Sequence, residues 1–231
     1  MIHVKSNASI ARVPDLGPHQ EACLLCGQVG AETFFECHGR AYARCTRCGL
    51  RFLNPRHHPA AAAERAHYLL HENDPADPHY RHFLSKLARP LLQRLAPARE
   101  GLDYGCGPGP ALAAMLREAG HAMALYDPFF QPDPAALERC YDFITCTETA
   151  EHFHRPAAEF QRLMALVRPG GWLAVMTCFQ TDDARFKNWH YRQDPTHVVF
   201  YRAESFRYLA TTHGWDCEIP VKDVALLQKP I

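Results

Sequence analysis

From Leu102 onward, short apolar runs alternate with amphipathic stretches, and the first run leads directly into Gly105-Cys-Gly-Pro-Gly109. Strand and helix in alternation call for a parallel sheet whose strands are joined by helical crossovers. A glycine-rich turn at the first strand-to-helix junction lets the backbone come close to a ligand and presents free N–H groups at the helix N-terminus. The helix after it buries Leu112, Met115, Leu116 and Ala119 and stops at Gly120. Next come a strand ending at Asp127, a short helix capped by Asp133 with Pro134 in its first position, and a strand over residues 141–146. A helix with Phe160, Leu163, Met164 and Val167, a strand over 172–177 and a helix with Phe206, Leu209 and Ala210 follow. Strands as close as 217–219 and 224–227 can only form a hairpin, so the sheet is expected to be mostly parallel with an antiparallel C-terminal hairpin strand.

The region before residue 99 is built differently. Cys23-Leu-Leu-Cys26, 18 intervening residues and Cys45-Thr-Arg-Cys48 have the spacing of a four-cysteine zinc ribbon. Each Cys-x-x-Cys turn points two thiolates inward, and two such knuckles complete a closed tetrahedral Zn²⁺ site, which is structural rather than catalytic. Gly27 and Gly49 follow the pairs directly, which suits tight knuckles whose N–H groups face sulfur. The other six cysteines lack such spacing, and most of them read as small apolar core residues. The chain thus divides into a polar arm (1–20), a ribbon (21–57), a helical connector or lid (58–98) and a ligand-binding α/β domain (99–231). In the connector, Phe83, Leu84, Leu87, Leu91 and Leu95 form a helical stripe that Pro90 is expected to kink.

Four features appear in order in the C-terminal part: Asp103 before the glycine turn, the turn itself, Asp127 closing the second strand, and Arg168-Pro-Gly-Gly171 ahead of the last parallel strand. In this combination, from Gly101 to the C-terminus, the chain resembles the class I S-adenosylmethionine-dependent methyltransferases. A dinucleotide-binding fold is the main competitor, but Gly-x-Gly-x-x-Gly is absent, because position 110 is Pro and Gly109 already closes the turn. The resemblance implies a Rossmann-like sheet with S-adenosylmethionine as cofactor. Gly105, Cys106, Gly107 and Gly109 would cradle its methionine part, and Asp103 would order its amino group. Asp127 would hold the ribose, Pro128 and Phe129 would lie toward the adenine, and Thr147 and Glu148 would border the sulfonium. The alternative for Glu148 and Glu151 is a solvated loop carboxylate, and for Glu151 it weighs as much as a site contact. Ribbons followed by Leu-x-Phe-Leu-Asn-Pro (50–55) look like those preceding the catalytic domain in bacterial methyltransferases acting on sugars or other metabolites. A similar arrangement occurs in a ribosomal-RNA guanine methyltransferase family.

One departure stands out. Only 13 residues separate Asp127 from Tyr141, and a crossover with its helix takes about 10–12. The family's second helix and third strand do not both fit, so the third strand is expected to be missing or vestigial.

Residues 177–201 form a 25-residue connection dense in His, aromatics and charge, more than a simple connection needs. Ligands of such sheets lie across the C-terminal strand ends, so this connection is expected to wall the pocket. His197 resembles a histidine that many relatives carry ahead of the last helix and is the first candidate for base or substrate ligand; a histidine that only pins the loop is the alternative. His190 and Tyr191 are the next catalytic candidates, and Arg192 suits a carboxylate or phosphate. Tyr68-Leu-Leu-His-Glu-Asn73, with Tyr80, could close the site from the other side or serve as a strut. His67, His71, His79 and His82 fall into two pairs at helical spacing, but Pro75 and Pro78 part the pairs and weigh against a second metal.

Lys plus Arg and Asp plus Glu are equal at 25 each, which argues against a large nucleic-acid footprint. The first reading is therefore an enzyme moving a methyl group to an O, N or S atom of a small metabolite by direct displacement. RNA base methylation, with Arg40, Arg44, Arg47, Arg51 and Arg56 of the ribbon gripping phosphate, is the second. A catalytically inactive binding subunit is the third, and the intact glycine turn and Asp127 weigh against it. No run of 18 apolar residues is present, and the first nine residues lack the pattern of a secretory signal, so a reducing cytoplasm with thiols rather than disulfides is expected.

Overall fold

The computed structural model describes residues 21–70 and 73–231; the expected N-terminal arm and the lid residues His71 and Glu72 lie outside the described residues. β5 (Glu100–Tyr104), β6 (Ala122–Tyr126), β7 (Tyr141–Thr147) and β8 (Val167–Met176) run parallel in the order β8-β7-β5-β6. β11 (Val224–Gln228) pairs antiparallel with β8, and β10 (Asp216–Glu218) pairs antiparallel with β11, which is the expected hairpin. β7 lies between β5 and β8 and is apolar toward both faces, as a central parallel strand must be. Strand β6 is the other edge. Beyond it, among the described residues, only an Asp127–Gln131 bridge and a 3-10 turn at Pro134–Leu137 precede β7, so the third strand is indeed missing. Asp133 caps that turn by accepting a hydrogen bond from the Ala135 N–H, and the Tyr141 hydroxyl closes it by donating to the Ala136 carbonyl at 2.8 Å.

Helices cover both faces. α2 (Pro78–Leu92) starts at the Asp77 cap and runs unbroken through Pro90, and with α3 (Ala111–Glu118) it packs Leu84, Leu87, Leu91, Leu112 and Leu116 against Phe143 and Trp172. α4 (Pro156–Leu166) and α6 (Ala203–His213) cover the opposite face through Phe160, Leu163 and Phe206. Gly214, at φ +69°, ends α6 in the left-handed conformation that glycine adopts without penalty.

The cysteine-bearing segment forms a second sheet from β1 (Glu21–Ala22), β2 (Val29–Cys37), β3 (Arg40–Arg44) and β4 (Arg51–Leu53), all antiparallel. The β2–β3 hairpin turns on His38 and Gly39, both at positive φ, the conformation a two-residue turn demands of its central pair. Its fifth strand comes from far along the chain: β9 (Val199–Phe200), in the long connection, pairs with β4. Buried Cys23, Cys45, Cys48, Leu50 and Phe52 belong to the same apolar cluster as Phe160, Tyr201 and Phe206, so the ribbon and the α4/α6 face share one core.

The aromatic density of the long connection has a packing cause. Phe186 is buried, with ring centroids 5.0 Å from Phe34, 5.2 Å from Tyr42 and 5.2 Å from Phe200. Arg192 lies over the rings of Phe35, Tyr42 and Phe186 and donates to the carbonyls of Phe186 and Lys187, so it staples the loop to the ribbon instead of facing a ligand. Removing a buried phenyl from such a site leaves a cavity the surroundings fill only in part. Phe186→Ala is therefore expected to destabilise the fold by about 3–5 kcal/mol in urea titration, with a loss under 1 kcal/mol contradicting this docking role.

Candidate active site

A cavity of about 650 Å³ opens at the C-terminal ends of β5, β6 and β7, within the range that holds small-molecule ligands. Gly105, Cys106 and Gly107 form one wall, and Asp127, Pro128 and Phe129 form the next. Thr147 and Glu148 follow at the end of β7, and His197 reaches in from the long connection. The connector closes the far side, where α1 (Ala61–Tyr68) supplies Glu64 and Tyr68 and the segment after it supplies Asn73 and Tyr80. Tyr68 and Phe129 meet across the opening with ring centroids 5.6 Å apart.

Asp127 shapes the glycine turn. One carboxylate oxygen accepts from the Gly107 N–H at 3.0 Å, and the other accepts from the N–H groups of Phe129 at 2.8 Å and Phe130 at 3.0 Å. The first oxygen keeps a lone pair for a hydroxyl in the cavity. The glycines have separate tasks. A Cβ on Gly105 would fall 2.2 Å from the Thr149 side chain, and one on Gly109 only 1.7 Å from the Asn73 carbonyl. Gly109 thus makes room for the lid segment, not for a ligand. The Thr147 hydroxyl is buried without a hydrogen-bond partner, a group placed to be satisfied by whatever occupies the cavity.

Four expected site residues lie outside the cavity lining: Asp103, Gly109, His190 and Tyr191. Asp103 sits behind the turn, accepts from the Thr145 hydroxyl at 2.7 Å, and is held by burial at about 6. It braces the turn and does not face a ligand. His190 is exposed. Tyr191 is buried one layer back, its hydroxyl 3.0 Å from the Thr177 hydroxyl and donating to Glu148 at 3.4 Å. Burial pushes the Tyr191 phenol well above its ordinary range, so it stays a hydrogen-bond donor.

Two carboxylates at the end of β7 are not solvated. Glu151 is wholly buried, its pKa raised by that burial and countered by His197 and the Tyr191 and Thr177 hydroxyls, and Glu148 adopts φ +47°, unusual for a residue with a Cβ. Burial, then the neighbouring Glu151, pushes Glu148 up to about 9. Beside them, His197 donates Nδ1–H to the Tyr191 carbonyl at 2.6 Å and turns Nε2 toward Glu151 at 4.0 Å and Asp194 at 3.8 Å. Burial lowers the His197 pKa, which keeps the ring neutral near pH 7. Burial alone would raise Asp194, but hydrogen bonds from Thr196 and His67 and the nearness of the His197 ring bring it down to about 2.

A family model described as a methyltransferase domain matches residues 80–218. The chain belongs to this methyltransferase family. A ubiquinone biosynthesis O-methyltransferase of Paracidovorax citrulli is 30% identical over 122 residues, covering 42% of this chain and 51% of the relative. One from Albidiferax ferrireducens is 26% identical over 122 residues, covering 42% and 48%. The chain thus spans about half the length of the curated relatives it matches. The structure of 1,6-didemethyltoxoflavin-N1-methyltransferase from Burkholderia thailandensis superposes with a TM-score of 0.51 at 18% identity, over 87% of this chain and 100% of that one, a likeness of fold.

In this member of the family, several cavity residues carried no motif in the sequence. Glu64 accepts from His154 Nε2 at 2.9 Å, and Asp194 pairs with His67 Nε2 at 3.1 Å. Both pairs join segments far apart in the chain, which no local pattern reports. Glu151 and His152 did carry a signal, since they follow the central strand at its C-terminal end, where ligands of such sheets gather. His79 and His82 are exposed, and among the described residues no metal-like cluster includes them.

The raised Glu148 has a consequence for stability. Between its ordinary 4.5 and about 9 the folded protein keeps a proton that the unfolded chain has lost, so stability falls as pH rises through that window. Glu148→Gln removes this loss. In ligand-free protein its Tm is expected to gain on the parent between pH 6 and pH 9, and parallel Tm–pH curves would show that Glu148 titrates normally.

Proposed function

We propose that this chain transfers the methyl group of S-adenosylmethionine to an oxygen of a small acceptor molecule. The observation that carries this is the single cavity in which a glycine turn bonded to Asp127, an orphan Thr147 hydroxyl and the neutral imidazole of His197 converge. Gly105, Cys106 and Gly107 hold the cofactor's methionine end, Asp127 takes a ribose hydroxyl on its remaining lone pair, and Phe129 lies toward the adenine. Thr147 and Glu148 border the sulfonium. Transfer is a direct displacement: the acceptor oxygen bonds to the methyl carbon as the carbon–sulfur bond breaks. The chain supplies alignment and takes the acceptor's proton on His197 Nε2, leaving S-adenosylhomocysteine. Oxygen as the acceptor atom rests on the O-methyltransferase relatives.

The four cysteine sulfurs fit Zn²⁺. They lie within 4.8 Å of one another, with Cys23 to Cys48 at 3.5 Å and Cys26 to Cys45 at 3.6 Å, close to the edge of about 3.8 Å for a tetrahedron of Zn–S bonds. N–H groups of Leu25, Gln28 and Leu50 face the sulfurs. Zinc there is structural, since four thiolates leave no open position. Ten thiols without a disulfide suit a reducing compartment, and we place the protein in the cytoplasm on that ground. The RNA reading loses its main support: Arg51 is buried in a two-bonded pair with Asp183, Arg44 is paired with Glu32, and Arg47 lies over Tyr208.

Calorimetry with S-adenosylmethionine on zinc-loaded protein tests the cofactor directly, and no binding would sink the proposal. Asp127→Ala is expected to weaken that binding about 100-fold or more. His197→Ala is expected to leave it intact while lowering kcat by about 10²–10⁴; the reverse pattern would overturn both roles. A thiol-reactive displacement assay should release one zinc per chain, and Cys45→Ser should abolish this stoichiometry.

A further inference from the structure

We propose that Glu159, on α4, recognises the exocyclic amine of the cofactor's adenine. The inference rests on the S-adenosylmethionine reading and names the side chain that selects its base. In that reading Gly105 and Gly107 take the methionine end, Thr147 and Glu148 border the sulfonium, and Asp127 takes the ribose. The base then lies past Asp127, along Phe129, in the part of the cavity bounded by Tyr104, Tyr126 and α4. β6 is an edge strand, and among the described residues only a 3-10 turn precedes β7, so no further parallel strand stands there to contact the base. α4 is the wall that remains, and it brings Glu159 and Arg162 to the cavity.

Glu159 is held at one oxygen and open at the other. The Tyr104 phenol donates to Oε2 at 2.5 Å, and Arg162 Nη1 donates to the same oxygen at 3.3 Å. Among the described residues nothing hydrogen-bonds to Oε1. The brace is itself fixed. Burial pushes the Tyr104 phenol well above its ordinary range, so it stays a donor, and its ring stacks on Tyr126 with centroids 5.2 Å apart. Tyr104 and Tyr126 are register partners on β5 and β6, and they immediately precede Gly105 and Asp127. The carboxylate beside the base is thus positioned by the same two strand ends that position the methionine and ribose contacts. An i,i+3 ion pair on a helix surface needs no such brace.

Adenine presents an N–H₂ donor beside a ring-nitrogen acceptor. A carboxylate oxygen beside a guanidinium is the complementary arrangement, acceptor next to donor. Hypoxanthine carries a carbonyl oxygen where adenine carries the amine, which would set two lone pairs against each other at Oε1. Such a site rejects the wrong base because one of its polar groups is left unpaired. A face contact such as Phe129 is blind to this difference, so the choice falls to Glu159.

Calorimetry on zinc-loaded protein can compare S-adenosylhomocysteine with S-inosylhomocysteine, which differ only in the base. The parent is expected to bind the adenine ligand at least about 10-fold more tightly. Glu159→Gln has nearly the same shape and turns an N–H₂ donor to the cavity, so the preference is expected to fall to within about 2-fold or to reverse. Tyr104→Phe keeps the ring stack and removes only the phenol. With folding checked by circular dichroism, it is expected to reduce the preference at least about 3-fold. Equal binding of the two ligands by the parent, or a preference unchanged in either folded variant, would overturn the inference. Binding of neither ligand would sink the cofactor reading and this inference with it, whereas binding of both without preference sinks this inference alone.

Discussion

Two backbone hydrogen bonds tie the cysteine ribbon to the centre of the parallel sheet. The Leu53 N–H donates to the Val198 carbonyl at 2.8 Å, and the Val198 N–H donates to the Glu151 carbonyl at 2.9 Å. Leu53 ends the last ribbon strand, Glu151 follows the central strand, and Val198 is the neighbour of His197. The acceptor end of the cavity therefore hangs from a three-part ladder with the ribbon at one end and the central strand at the other. Arg51 strengthens it, since its buried guanidinium grips both oxygens of Asp183, at 2.9 and 2.8 Å, on the same connection. A ribbon held shut by the proposed zinc would be a rigid scaffold for the loop that carries His197.

That dependence explains the length and composition of the connection. Ordering a loop costs about 1–2 kcal/mol per residue in backbone entropy, so a connection of this size stays fixed only if it buries side chains at intervals. Phe186, Tyr191, Val198 and Phe200 do so against Tyr42 and Leu53. The carbonyl of buried Tyr191 holds His197 Nδ1, and that bond leaves Nε2 facing the cavity. On the proposed function, pinning and catalysis are therefore compatible roles for the two sides of one ring.

Elements with local causes were readable from the sequence. The alternation of apolar runs, the Asp133 cap, the Gly120 stop and the knuckle glycines act within a few residues of themselves, and the short span from Asp127 to Tyr141 excluded a third strand by arithmetic alone. The glycine turn and Asp127 were also legible, because their geometry is set by adjacent strands. Other features are long-range. Strand β9 has only two residues and forms by pairing with a strand nearly 150 positions earlier, and Arg192 looked like an anion ligand because its aromatic partners, Phe35 and Tyr42, lie in the ribbon. The burial of Glu151 follows from tertiary closure by the connector and the loop, so the sequence left a solvated glutamate and a site contact equally open.

The charge state of Glu148 fits the chemistry proposed beside it. A methyl group leaving a sulfonium spreads positive charge that is concentrated in the reactant. A full negative charge next to the sulfur would therefore stabilise the reactant more than the transition state and slow transfer. Burial and the neighbouring Glu151 keep Glu148 protonated up to about 9, so near neutral pH it meets the cofactor as a neutral polar group. Burial raises Glu151 as well, so the adjacent pair resists taking two negative charges, and Glu148 is the cavity-facing member kept neutral. On the proposed reading, a displacement that moves positive charge off sulfur is favoured by this neutral wall, because no fixed anion holds the charge where the reactant has it.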